Sequence, residues 1–281
     1  MIAIKGEEKE FTSGSINRAV FLLSVPMVLE MLMESLFAIV DIFFVSKISV
    51  AAVATVGITV SILTVLYSLA IGLSTAATAT VARRIGEKDP SKAARASVQA
   101  IILASGIAVV LGVAGFIFAE QILGLMGADA EVVATGVMYT RIMFAENIVI
   151  MLIFLLNGVF RGAGDASIAM RTLWISNGIN IFLDPCLIFG LGPFPELGLT
   201  GAAIATTIGR GTGVLYQLYH LFKGNSIIKL SIHQFKVHLD TIINLVRVSL
   251  GGVLQFAVAS LSWIFIMRVM ADFGSEALAG Y

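Results

Sequence analysis

Apolar stretches, each close to or longer than the ~20 residues that a helix needs to cross a hydrocarbon layer, follow one another along this chain with only short polar breaks. They lie at about 17–46, 51–82, 95–119, 131–160, 168–190, 199–222 and 240–270. Backbone in lipid must satisfy its own N–H and C=O groups, and a helix does so within one segment. The pattern therefore predicts an all-α, polytopic membrane helical bundle. Composition agrees, with 58% of the 281 residues hydrophobic and 13% charged, where a soluble domain carries about a quarter. The formal net charge of +0 gives no reason to expect a nucleic-acid partner. Cys186 is the only cysteine and sits in an apolar run, so no disulfide frame or zinc cluster is expected and it reads as a small core residue. The N-terminal "MIAIKGEEKEFTSGS" lacks the apolar centre and cleavage site of a signal peptide.

Lysines and arginines in the breaks predict orientation. One set of breaks holds Lys5, Lys9 and Arg18, then Arg83, Arg84, Lys88, Lys92 and Arg95, then Arg161 and Arg171, then Arg210, Lys223, Lys229 and Lys236. The alternate breaks hold Lys47 and otherwise no basic residue near 120–131 or 190–198. This asymmetry places the N-terminus in the cytoplasm of a multi-pass cell-membrane protein. "GNSIIKLSIHQFKVHLD" is polar with interspersed apolar residues, and reads as a linker along the cytoplasmic face. Its His233 and His238 do not share a helical face, so they do not suggest a metal.

Shifting the chain by 225 residues aligns Ser24, Val28, Leu29, Ser35, Leu36, Ile39, Ala52 and Ala54 with Ser249, Val253, Leu254, Ser260, Leu261, Ile264, Ala277 and Ala279. The seventh apolar stretch thus resembles the first, directly after the linker. The reading that follows is a six-helix N-terminal lobe over 1–222, a linker over 223–239, and the opening helix of a second, related lobe over 240–281. On that reading the chain is truncated and needs a missing C-terminal lobe, since two related six-helix halves are a common transporter plan.

Within the apolar stretches the charges are few and placed in pattern. Asp41 lies late in the first helix and Asp184 late in the fifth, at similar depth. Asn177, Asn180 and Asp184 are spaced i, i+3 and i+7, on one helical face. Glu30, Glu34 and Asp41 share a narrow arc of the first helix, and Tyr139 reaches a comparable depth on the fourth. Two acidic stripes can therefore face each other across a cavity. Intramembrane acids usually mark ion or substrate paths. Facing carboxylates with amide and hydroxyl oxygens nearby suit a proton, or a hard cation such as Na⁺ at Asp41, Asn180 and Asp184. The alternative is that Asp41 and Asp184 satisfy helix ends or pair with Lys47, and that Glu30 and Glu34 line an aqueous vestibule. Pro26 and Pro185 interrupt the helical hydrogen-bond ladder, and are the candidate hinges.

"VDIFFVSK", "ARRIGEKDPSKAARA", "NGVFRGAGDASIAM" and "NIFLDPCLIFGLGPFPELGLTGAAIAT" resemble helix signatures of the multidrug and toxic compound extrusion (MATE) transporters. The last is most similar to the archaeal and bacterial DNA-damage-inducible branch. The resemblance implies a twelve-helix, two-lobe antiporter that exports amphipathic, often cationic drugs against H⁺ or Na⁺. It implies a cation site in the N-terminal lobe at Asp41 and Asp184, with Asn180 beside them and Tyr139 nearby, and a bending role for Pro26. Relatives often place a hydroxyl on the sixth helix near the site. This chain has Ala202 there, with Thr206 one turn on, and Thr206 completes the candidate set. Glu30, Glu34, Asn157 and Asn177 are the candidates for the cargo cavity.

Neither an enzyme nor a cofactor is expected. The expected partners are small-molecule drugs and the bilayer, with the full-length protein monomeric. Two other functions compete. "GAGD", ending at Asp165, fits an intramembrane aspartyl protease pattern, but Asp165 lies in a short break flanked by Arg161 and Arg171. A flippase for a lipid-linked precursor would be favoured by basic residues lining the cavity, where the acidic stripes favour cationic cargo.

Overall fold

The computed structural model describes residues 14–223 and 226–271. Its helices are α1 (Ile16–Ser46), α2 (Val50–Gly86), α3 (Pro90–Ile117), α4 (Ala119–Leu125), α5 (Ala130–Ala145), α6 (Asn147–Gly162), α7 (Ala166–Phe189), α8 (Leu199–Phe222) and α9 (Leu239–Ala271), with a 3₁₀ turn at Ile232–Gln234. Among the described residues there is no strand. Lys5, Lys9, Ala277 and Ala279, used above for orientation and repeat, lie outside the described residues.

Short side chains set the helix starts. The side chains of Ser49, Asp89 and Asp129 accept from the backbone N–H of Ala52, Lys92 and Val132 at 3.0, 3.0 and 2.9 Å. Each satisfies a donor that the first turn leaves open. At the far end of α7, Gly190 adopts φ +69°, and a Cβ there would meet the Glu196 nitrogen at 2.9 Å, so the turn out of the helix requires glycine.

Among the described residues four helices are long and apolar enough to span a membrane, and α5 with α6, bent by 43°, counts as a fifth if taken as one span. The uninterrupted fourth helix expected over 131–160 is therefore corrected. It breaks at Glu146, whose buried carboxylate is held by other helices. The short α4 also fills the break that precedes it. Helices α1 and α8 are not among the apolar spans; they bring the charges described below.

Close backbone approach holds the bundle together, as expected where lipid provides no hydrophobic drive between helices. On α8, added Cβ atoms at Gly201 and Gly209 would fall 2.4 Å from the Leu187 carbonyl and 2.6 Å from the Ser176 carbonyl of α7. On α6, one at Gly158 would fall 2.5 Å from the Ser74 carbonyl of α2. Hydroxyls tie the same seams: Ser74 Oγ donates to the Phe154 carbonyl at 2.7 Å, Thr78 Oγ1 donates to the Gly158 carbonyl at 2.9 Å, and Thr59 and Thr140 join at 2.9 Å. Helix α1 lies chiefly along α7, where the Trp174 indole donates to the Leu29 carbonyl at 3.2 Å. Its other faces expose Phe21, Met31, Leu32 and Ile39. Pro26 and Pro185 both lie inside continuous helices.

The linker is buried in its first part and exposed in its second. Ile228 and Leu230 are buried in the main core, and the Leu230 N–H donates to the Leu221 carbonyl at 2.9 Å. Buried Gln99 of α3 clamps the strap from both sides, donating to the Lys236 carbonyl at 2.7 Å and accepting from the His238 N–H at 2.8 Å. The first part of the strap thus inserts Ile228 and Leu230 into the core, while Phe235 and Val237 further on stay exposed. After this strap α9 packs against α2, where Gly252 meets the Cα of Gly72.

Candidate functional site

Helix α7 presents Asn177, Asn180 and Asp184, exposed by only 2%, 2% and 0%. Asn180 Nδ2 donates to Asp184 Oδ1 at 3.3 Å and to Thr206 Oγ1 at 3.1 Å, and Thr206 Oγ1 donates to the Ala202 carbonyl at 3.0 Å. The Gly209 seam allows this, because α8 approaches until a Cβ at Gly209 would be 3.1 Å from the Cβ of Asn180. Buried Asp184 Oδ2 and Asn180 Oδ1 have no hydrogen-bond partner. Half-buried Asp41 interacts electrostatically with Asp184 and with buried Tyr139. Of the predicted set, Asn180, Asp184 and Thr206 are joined by hydrogen bonds across α7 and α8, and Asp41 of α1 and Tyr139 of α5 lie within electrostatic range. The buried Asp184 carboxylate can take up a proton, and its free oxygen together with that of Asn180 can offer ligands to a hard cation. Among the described residues no three His, Cys, Asp or Glu side chains form a metal-holding group. A cation here would rely on amide and hydroxyl oxygens beside the two carboxylates.

A second group of charges lies nearer the first half of α1. Asn177 Nδ2 donates to Glu34 Oε2 at 3.0 Å, so the two polar stripes meet directly at this level and not across open space. Glu30 Oε1 accepts from Asn157 Nδ2 at 3.3 Å and from Arg161 Nη1 at 3.4 Å, and Gln217 donates to Asn157 Oδ1 at 2.6 Å. Glu30, Glu34, Asn157, Arg161 and Arg210 line a cavity of about 290 Å³ together with apolar residues such as Met27 and Phe154. Asn177 reaches it only through Glu34. An adjoining crevice of about 630 Å³ shares Met27, Phe154 and Arg161, and adds Leu23, Ile71 and Thr75.

Arg210 requires correction, since the basic-residue pattern assigned it to a cytoplasmic break. It lies midway along α8 with its side chain only 12% exposed. Its Nη1 is 3.4 Å from Glu146 Oε1, its Nη2 is 4.0 Å from Glu34 Oε1, and its guanidinium lies 5.6 Å from the Phe37 ring centre. Thr207 Oγ1 donates to the other Glu146 oxygen at 2.8 Å. Glu146 escaped the sequence reading altogether. The signal was a single acid in "FAENIV", inside an apolar stretch, for which a basic partner had to exist elsewhere. Arg161, also assigned to a break, sits in the last turn of α6 and reaches inward to Glu30 and Ser74. Asp165 precedes α7 in a turn, accepting at 2.9 Å from the Ser167 hydroxyl.

The family model for MatE matches residues 26–186. The chain belongs to the MatE family. The matched segment includes Asp41, Tyr139, Asn180 and Asp184, and stops short of Thr206 and Arg210. The Multidrug export protein MepA of Staphylococcus aureus is 24% identical over 272 residues, covering 96% of this chain and 59% of MepA. A MOP superfamily transporter from Pyrococcus furiosus, described as having a binding pocket of reverse polarity that suggests a different function, superposes with a TM-score of 0.86 at 28% identity; the match covers 97% of this chain and 61% of that one. A MATE crystal structure in the bent conformation matches at TM-score 0.86 and 27% identity, over 99% of this chain and 61% of that one. The chain therefore spans about six-tenths of the length of these MatE relatives. MatE membership and the apolar helices make it a multi-pass membrane protein of a transporter family.

Proposed function

We propose that this MatE chain forms the N-terminal lobe, residues 1–222, of an efflux antiporter that exports amphipathic, cationic compounds in exchange for H⁺ or Na⁺. The strap 223–239 then leads to a second lobe that begins at 240–281. The reading places the protein as a monomer in the cell membrane, N-terminus inside, in the DNA-damage-inducible branch. One observation carries it: Asp184 Oδ2 and Asn180 Oδ1 are buried without partners, in a site joined electrostatically to Asp41. A carboxylate buried in lipid is expensive, and the cost suits a group that is alternately filled and empty. The coupling ion enters at Asp41, Asn180 and Asp184, with Tyr139 and Thr206 completing the shell. Cargo occupies the space beside Glu30 and Glu34, with its apolar part against Met27 and Phe154. Pro26 and Pro185 weaken the helices that must repack. An ion moved through 100 mV contributes about 2.3 kcal/mol and a unit of pH about 1.4 kcal/mol. One ion per cycle is sufficient to drive substantial accumulation.

The arginines favour a second reading. Arg161 and Arg210 line the cavity, as an anionic lipid phosphate would require, although each faces a glutamate. The test is transport by the full-length gene product in liposomes, with Na⁺ and pH gradients imposed separately and ethidium as cargo. Ethidium efflux should rise about tenfold or more under one of the two gradients. Equal rates with and without either gradient, together with movement of a phosphate-headed lipid, would establish the flippase reading instead.

A further inference from the structure

One carboxylate oxygen at the cargo cavity, Glu30 Oε2, has no partner. The other, Oε1, accepts from both Asn157 Nδ2 and Arg161 Nη1, at 3.3 and 3.4 Å. Which arm of the Asn157 amide points at Glu30 is decided behind the cavity wall. Gln217 of α8 is fully buried, lies outside the cavity lining, and donates from Nε2 to Asn157 Oδ1 at 2.6 Å. An amide carries its acceptor and its donors on opposite arms, and an ionised carboxylate only accepts. With its oxygen held by Gln217, Asn157 must turn its nitrogen to Glu30. The same direction leaves Gln217 Oε1 buried without a partner, a costly state for an acceptor in a dry core. An apolar residue of similar size would avoid that cost, so packing alone does not account for a glutamine here.

We propose that Gln217 is a positioning residue that sets the cavity's preference for cations, acting through Asn157 on Glu30. The inference rests on the reading above that cationic cargo sits beside Glu30. Arg161 lies against the same carboxylate, and its Nη2 also donates to Ser74 Oγ at 3.3 Å. A guanidinium pairs most strongly when both carboxylate oxygens engage it. The Asn157 amide competes for Oε1 and holds the Arg161 pair to a single contact, so that Oε2 remains to meet a cation. Without Gln217, Asn157 can turn its oxygen to Glu30. Two acceptors then face each other, Glu30 swings onto Arg161 with both oxygens, and the counter-charge for cargo is cancelled. Gln217 itself touches no cargo; it sets the charge that cargo meets.

The test is ethidium binding to the purified full-length protein, followed by fluorescence, in a double-mutant cycle. Gln217→Met keeps the length of the side chain and removes the donor, and Gln217→Leu is measured beside it. Each should weaken ethidium binding about tenfold, the scale of a lost hydrogen bond to a charged group, without lowering the melting midpoint in detergent. Glu30→Gln should weaken binding at least as much. Gln217→Met/Glu30→Gln should then bind no more weakly than Glu30→Gln alone, the non-additivity of two residues on one path. Parental binding in a Gln217 variant, or an equal further loss in the Glu30→Gln background, would overturn the role of Gln217 and leave the cargo reading standing. Variants at this position that do not fold would assign Gln217 to the bundle instead, and overturn it too. Ethidium binding untouched by Glu30→Gln would remove the cargo from Glu30, and the inference with it.

Discussion

Asp184→Asn is expected to abolish the proposed gradient-driven export while leaving the protein folded and inserted. The substitution keeps the shape of the side chain and the oxygen that accepts from Asn180 at 3.3 Å, and it removes only the capacity to carry charge. Loss should reach at least about a hundredfold in initial efflux rate, the scale on which a positioned ionisable group is felt. Asp41→Asn should act similarly. Folding provides the control, since a buried carboxylate is costly and its replacement by an amide relieves that cost. Size-exclusion profile and melting midpoint in detergent should therefore match the parent or improve. Export at parental rates by both variants, under either gradient, would move the coupling role to Glu30 and Glu34.

The largest effect on stability is expected at Glu146. Its carboxylate is fully buried and is the nearest counter-charge to Arg210. Glu146→Leu leaves the guanidinium largely buried, with Glu34 at 4.0 Å as its nearest remaining carboxylate. Removing one partner of a buried pair costs about 3–5 kcal/mol, enough to lower the yield of monodisperse protein sharply. The double variant Glu146→Leu/Arg210→Leu should recover most of that loss, because neither charge is then stranded. A single variant as stable as the parent would mean that water, not Glu146, compensates Arg210.

These two residues also mark where sequence reading falls short. Most of the long helices were legible, since lipid demands a long apolar run for each, although α1 and α8 do not qualify as apolar spans and the fourth run is a bent pair. The face Asn177–Asn180–Asp184 was legible too, because i, i+3 and i+7 spacing fixes it whatever the packing. Its meeting with Glu34 of α1 follows from the same periodicity on the other helix. Arg210 was misassigned because counting basic residues treats each as a marker of a break. An arginine neutralised by an acid from another helix carries no such mark along the chain. The bend at Glu146 was hidden for the same reason, as its cause is a partner 64 positions away. The strap was misread because the alternation of Ile228 and Leu230 with polar residues suits an interface as well as a core edge. What decides between them is the core that Ile228 and Leu230 enter, built from helices far away along the chain.

Counting the ions released when cargo binds tests the antiport mechanism most directly. Purified full-length protein is loaded with ²²Na⁺, or held in weak buffer with a pH indicator, and ethidium is added to saturation. Exchange through the Asp41–Asn180–Asp184 site predicts release of about one ion per bound ethidium, reciprocal with the ion's weakening of cargo binding, and no release from Asp184→Asn. Ethidium binding that displaces neither Na⁺ nor protons from the parent protein would contradict it.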